Sequence, residues 1–180
     1  MTKPTIYFAG KIEHDDWRFA ITRTWNSSDD CNPDAKWDCG AFYYGGPFFI
    51  SKNHGMDEHA SQSRRHEIWG TNLTLIRRAD LVFAYIDCTS CYGTLIELGA
   101  ASENHKIIGV AFGPDLSKSD RQNLWMAGEC ASRRYDMSLE PAWHHFATEF
   151  LPLYRPPWSS PPPSVLLLDD FMRRRRSRPS

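Results

Sequence analysis

Three short runs decide most of what this chain can fold into: Thr5–Ala9 (TIYFA), Leu81–Ile86 (LVFAYI) and Ile107–Phe112 (IIGVAF). Each is apolar throughout and rich in β-branched or aromatic residues. Each stops at a loop signal: Gly10, the stretch from Asp87 to Gly93, and Gly113 with Pro114. A strand with one wet face alternates apolar and polar residues, so unbroken apolar runs of this length read as strands buried on both faces. Helical spacing fills the gaps. A helix is expected from Asp15 or Asp16, where aspartate suits an N-cap and Trp17, Ala20 and Ile21 recur at helical intervals. Others are expected over 64–79, 94–104 and 141–150, the last with Trp143, Phe146, Ala147 and Phe150 on one face. Shorter segments near 41–50 and 135–137 supply two more strands. The alternation predicts an α/β fold, a parallel sheet of about five strands flanked by helices. Ligands of such sheets bind beyond the carboxyl ends of the strands, where Gly10, Asp87 to Gly93 and Gly113 all fall.

The pattern gives one domain over 1–154. Within it, residues 26–63 carry no clear periodicity, yet the aromatic run from Phe42 to Tyr44 and Phe48 to Ile50 argues against disorder. From 155 to 180 the composition changes to a proline-rich, extended tail (Pro156, Pro157, Pro161 to Pro163), with one apolar patch, VLLLDDF, and a basic end, RRRRSR. A block of like charge at a chain end reads first as a solvated tail. The net charge is -1, which sets up no global field toward nucleic acid or membrane. No stretch approaches the roughly 20 apolar residues of a membrane span, and the N-terminus lacks an apolar signal core. Five cysteines, an odd count, then point to free thiols in a reducing, cytoplasmic compartment.

The stretch with most chemical content is ADLVFAYIDCTSCYGTLIELG, residues 79–99. A buried strand delivers a polar loop, Gly93 opens a tight turn, and a helix follows with Glu97 in its first turn. Gly99 and Ala100 are expected to let that helix sit close on the sheet. A carboxylate so placed lies near the crevice at the sheet's carboxyl edge.

The segment GTLIELGAA, together with the opening IYFAGKI and the following DWR, resembles the nucleoside 2-deoxyribosyltransferase superfamily, over roughly residues 5–128. The resemblance implies a flavodoxin-like parallel sheet, a homodimer or higher homo-oligomer in which a neighbour helps complete each site, and no metal or organic cofactor. It aligns Glu97 with the family's nucleophilic glutamate and Tyr7 with the tyrosine that orients it. Asn72 falls where the family usually carries an aspartate that contacts the base or assists proton transfer, and an amide cannot serve as acid or base. Cys91 stands where the transferases have a second aspartate and the related monophosphate hydrolases a phosphate-binding serine. Asn123, in NLWMAG, matches a segment that reaches a neighbouring site.

The implied reaction is attack of Glu97 on the anomeric carbon of a nucleoside to form a covalent glycosyl-enzyme, which a second base or water resolves. The departing base needs a proton or hydrogen bond, for which Asp87, at the end of the central strand, is favoured over His54 and Asp16. Gly10, Lys11, Arg18, Ser90 and Gly93 complete the candidate substrate contacts. One alternative is an N-glycosidase acting on nucleoside 5′-monophosphates, with Thr89, Ser90, Lys11 and Arg18 around the phosphate. Another is a nucleotide-binding module without turnover.

Blander readings stand beside these. A glutamate in a first helical turn is favoured by the helix dipole alone, and Tyr7 suits a core aromatic with a satisfied hydroxyl. Asp16 and Arg18 suit an N-cap and a surface charge. Cys88 and Cys91 form a C-x-x-C, but a zinc site needs two more ligands at suitable spacing. Cys31 and Cys39 are too far apart to supply them, and His144 and His145 lie on a helix. The aromatic segment around Phe42 is either core or a wall for a stacked base.

Overall fold

In the computed structural model, which describes residues 3–12, 16–22, 37–47 and 62–154, the three apolar runs lie side by side at the centre of one sheet. They form β1 (Thr5–Ala9), β4 (Leu81–Ile86) and β5 (Ile107–Phe112). The outer strands are β2 (Trp37–Asp38), β3 (Tyr43–Tyr44) and β6 (Arg133–Tyr135), in the order β2-β3-β1-β4-β5-β6. All neighbours are parallel except β2 and β3. The sheet thus has six strands where about five were expected; the extra one is an antiparallel edge. Numbered along the chain, the five parallel strands take the order 2-1-3-4-5, the doubly wound order whose switch point lies between its first and third strands, here β1 and β4.

Among the described residues the α-helices are α1 (Gln62–Arg78), α2 (Tyr92–Glu103), α3 (Lys118–Asn123), α4 (Trp125–Glu129) and α5 (Leu139–Phe150), of which α1, α2 and α5 pack on the sheet. Alternation along the strands decides which side chain meets which helix. Phe8 and Phe83, neighbours in register, face α5, where the Trp143 ring lies 5.6 Å and 5.3 Å from theirs. Tyr44 stacks on Phe8 from the edge at 5.5 Å. At Gly109 a Cβ would run into the Phe146 ring and meet Tyr135, so the glycine lets α5 close on β5. Tyr7 and Val82, one residue back in the same register, point to the opposite face, toward α1 and α2.

Several expectations shift. The helix at Asp15 or Asp16 is a single 3-10 turn, Trp17–Ala20, with Asp16 as its N-cap. The strand expected at 135–137 ends at Tyr135, and among the described residues that near 41–50 is Tyr43–Tyr44, with 48–50 outside them. α2 begins at Tyr92, so Glu97 stands in its second turn, and no acidic residue occupies the first. Gly93 lies within that first turn and Gly99 faces open space, with nothing near a Cβ at either; Leu98 and Ala101 make the sheet contact instead, both fully buried. α3 and α4 were not foreseen, although Ser117 and Asp120 form a reciprocal capping box at the start of α3.

Candidate functional site

Three elements bring three polar side chains together. β1 turns Tyr7 out of the sheet, α1 supplies Asn72, and α2 supplies Glu97. The Tyr7 hydroxyl donates to Glu97 Oε1 at 2.6 Å, and Asn72 Nδ2 donates to the same oxygen at 3.2 Å. No described residue bonds Oε2. One carboxylate oxygen is therefore fixed by two donors while the other is left to react. Tyr7 is wholly buried, and Glu97 and Asn72 are each only 9% exposed, so these are interior groups and not surface charges.

Burial sets the electrostatics. It pushes the Glu97 carboxyl from 4.5 up to about 7, against the pull of the Tyr7 hydrogen bond, the Arg18 charge and the Asn72 amide. Burial also raises the Tyr7 phenol well above its usual range, with the Glu97 charge and the shared hydrogen bond adding to it. Tyr7 accordingly remains a donor, and the carboxyl changes charge near neutrality. A buried carboxyl tuned this way on a helix packed beside β1 is a candidate site. The Asn72 amide oxygen is buried with no described partner, leaving an acceptor for an incoming N–H or O–H.

The loop after β1 is held by one cation. Arg18, fully buried, donates Nε to the Phe8 carbonyl at 2.9 Å, Nη2 to the Gly10 carbonyl at 2.7 Å and Nη1 to the Lys11 carbonyl at 3.2 Å. Nη1 also meets both carboxylate oxygens of Asp16, at 3.0 and 2.8 Å. Burial opposes the guanidinium charge, but Asp16, Tyr44 and Glu97 together outweigh it and the pKa rises. Arg18 and Asp16, expected as ligand contacts or surface groups, thus form an interior pair that folds the Gly10–Lys11 turn and lends positive potential to Glu97. Gly10 is required by close approach: a Cβ there would lie 2.8 Å from Trp17 Nε1 and 2.9 Å from the Tyr85 carbonyl.

The remaining candidates lie around this centre. Asp87 is exposed directly after β4, and Ser90 is exposed with its hydroxyl 3.5 Å from Cys88 Sγ. Gly93 is exposed on α2, and Cys91 is buried ahead of it. Burial, with Cys88 and Asp87 nearby, pushes the Cys91 thiol up to about 11, so it is no thiolate ligand near neutral pH. Lys11 is exposed and enters the site through its carbonyl. Asn123 is exposed at the end of α3, and neither it nor Asp87 bonds Glu97 among the described residues. His54 and Cys31 lie outside the described residues. Among those described, no three His, Cys, Asp or Glu side chains converge as a metal site would need, and no helix is long and apolar enough to cross a membrane.

Sequence reasoning missed a concavity at the end of β5, away from Glu97, lined by Lys118, Arg121, Trp125, Arg134 and Asp136 among others. The signal was there: the capping-box residues Ser117 and Asp120 start α3, which carries Lys118 and Arg121 three positions apart, and Trp125 opens α4 directly after it.

No family model, curated relative or solved structure matches the chain.

Proposed function

We propose that the chain cleaves the N-glycosidic bond of a nucleoside, or transfers its glycosyl group, with Glu97 as nucleophile. The observation that carries this is the Glu97 carboxylate itself, anchored at Oε1 by Tyr7 and Asn72 with Oε2 unpaired, beside the switch point of the sheet. The likeness of IYFAGKI and GTLIELGAA to the nucleoside 2-deoxyribosyltransferases, which share a flavodoxin-like sheet, supports the same assignment.

In this reading Oε2 attacks C1′ from the face opposite the base. The C1′–O bond forms as the C1′–N bond breaks, and the bonding pair leaves on the base nitrogen. The positive charge that develops on the sugar is stabilised by the ionised carboxylate. The base nitrogen takes its proton from Asp87, while the Asn72 amide oxygen accepts from an N–H elsewhere on the base. A second base nitrogen or a water then attacks C1′ and releases the carboxylate, so two inversions give net retention. The 5′-monophosphate alternative loses Arg18 as a phosphate contact, because its donors are committed to Phe8, Gly10, Lys11 and Asp16. Assembly as a homodimer is part of the proposal: α1 and α2 leave Trp69, Tyr92 and Ile96 exposed, apolar surface suited to a second copy.

The test is to incubate the protein with deoxynucleosides, ribonucleosides and their 5′-monophosphates, with and without a second free base, and separate the products by chromatography. Glu97→Gln runs in parallel. New nucleosides that require the second base identify a transferase; free base and sugar without it identify a hydrolase. No product from any substrate, or turnover that survives Glu97→Gln, refutes the assignment.

A further inference from the structure

The cleft at the end of β5 has a volume of ≈ 640 Å³, within the range of small-molecule sites. Its charges do not balance. Among the described residues Asp136 is the sole carboxylate lining it, beside Lys118, Arg121 and Arg134. A single oxygen of Asp136 serves both guanidinium groups: Arg134 donates Nη2 at 3.1 Å and Nε at 3.3 Å, while Arg121 Nη1 reaches it at 3.5 Å. Both arginines are held from behind. Arg121 Nη2 donates to the Gly113 carbonyl at 3.1 Å, and the Arg134 guanidinium lies 4.8 Å over the Phe112 ring. Arg121 Nε finds no acceptor, and Lys118 has no partner among the described residues. Three cations against one carboxylate leave two positive charges in a concave, half-walled space. Trp125, 59% exposed, supplies a bare aromatic wall to the same space.

The geometry points to a binding site for a phosphomonoester that carries a planar ring, a ligand of the mononucleotide kind, at this cleft. A phosphomonoester brings close to two negative charges at neutral pH and three acceptor oxygens, which match the excess charge and the forked donors of arginine. The ring stacks on Trp125. A basic surface that merely solvates its charges would not set two guanidinium groups on one shared carboxylate oxygen inside a concavity beside an uncovered indole. No cleft residue bonds Tyr7, Asn72 or Glu97 among the described residues, so this site does not rest on the chemistry proposed at Glu97.

Calorimetric titration of the full chain at low salt tests it, with adenosine 5′-monophosphate, inorganic phosphate and adenosine as probes. The Glu97→Gln variant is the host protein, so that no probe is consumed. The monophosphate is expected to bind more tightly than either phosphate or adenosine. Lys118→Ala and Arg134→Gln, both at exposed positions, each weaken it about tenfold, the scale of a charge-assisted hydrogen bond. Trp125→Ala weakens the monophosphate about fivefold or more, the scale of one stacked base, and leaves phosphate unchanged. Absence of monophosphate binding overturns the proposal. So does binding that ignores Lys118→Ala and Arg134→Gln, which would place the ligand elsewhere, and so does phosphate binding as tightly as the monophosphate, which would remove the ring from Trp125.

Discussion

Replacing Glu97 with glutamine should stabilise the protein at alkaline pH and not at acid pH. The folded carboxyl titrates at about 7 against an ordinary 4.5, so the folded state holds a proton that the unfolded chain releases. Stability from this group is fully present below pH 4.5 and is lost as pH rises through 7. The gap of about 2.5 pH units, at about 1.4 kcal/mol each, amounts to about 3 kcal/mol. Glutamine keeps the shape and does not titrate, so its offset from wild type is constant wherever wild type does not change charge. Urea unfolding followed by circular dichroism at pH 4.5, 6 and 7.5 gives the difference in free energy between the two proteins. That difference should move in favour of glutamine by about 3 kcal/mol across the series. In melting temperature this is about 6–12 °C for a chain of this size. Other carboxyls cancel, because both proteins contain them. Parallel curves from pH 4.5 to 7.5 would show a solvated Glu97 and refute the account of the site; a trend of the opposite sign would refute the burial argument altogether.

Four further substitutions separate reacting from structural groups. If Glu97 is the nucleophile, kcat/KM rises with pH through about 7, and Tyr7→Phe, which removes a donor that favours the anion, should move that inflection upward and lower the rate at pH 7 about tenfold or more; an unmoved inflection counts against the shared hydrogen bond. Arg18→Met takes away the guanidinium that meets both oxygens of buried Asp16, which should cost about 3–5 kcal/mol in urea unfolding; a loss below about 1 kcal/mol would mean that the pair is solvated. Gly10→Ala places a methyl against Trp17 and the Tyr85 carbonyl and should destabilise by about 1–3 kcal/mol, measured by thermal melting, whereas Gly93→Ala, with nothing near its Cβ, should be neutral or stabilising.

The fold was legible where the sequence is monotonous and obscure where structure depends on contacts between distant segments. Thr5–Ala9, Leu81–Ile86 and Ile107–Phe112 are strands to the residue, because a strand buried on both faces tolerates no polar interruption. The helix face of Trp143, Phe146, Ala147 and Phe150 is buried throughout for the corresponding reason. β2 and β3 carry no such signal: at two residues each, they exist by pairing and not by local preference. The site divides the same way. Tyr7, Asn72 and Glu97 are separated by 65 and 25 positions along the chain, and residue type alone says nothing of their meeting; what brought them together in advance was motif likeness, and what makes them chemically consequential is the burial that only the packed sheet and two helices provide. Arg18 shows the converse. An arginine after a turn reads as a surface charge, and nothing local announces that four acceptors would enclose it. Its enclosure bears on reactivity all the same. The ionised form of Glu97 costs about 3 kcal/mol in the empty site even with the Arg18 charge nearby. A sugar carrying positive charge at C1′ beside Oε2 would relieve that cost at the moment the bond to the base breaks, and not before. The pH dependence of stability therefore sets the scale of electrostatic help this carboxylate has to give, and Glu97→Gln, which removes the nucleophile as well, should abolish turnover while changing the affinity for an uncharged nucleoside much less.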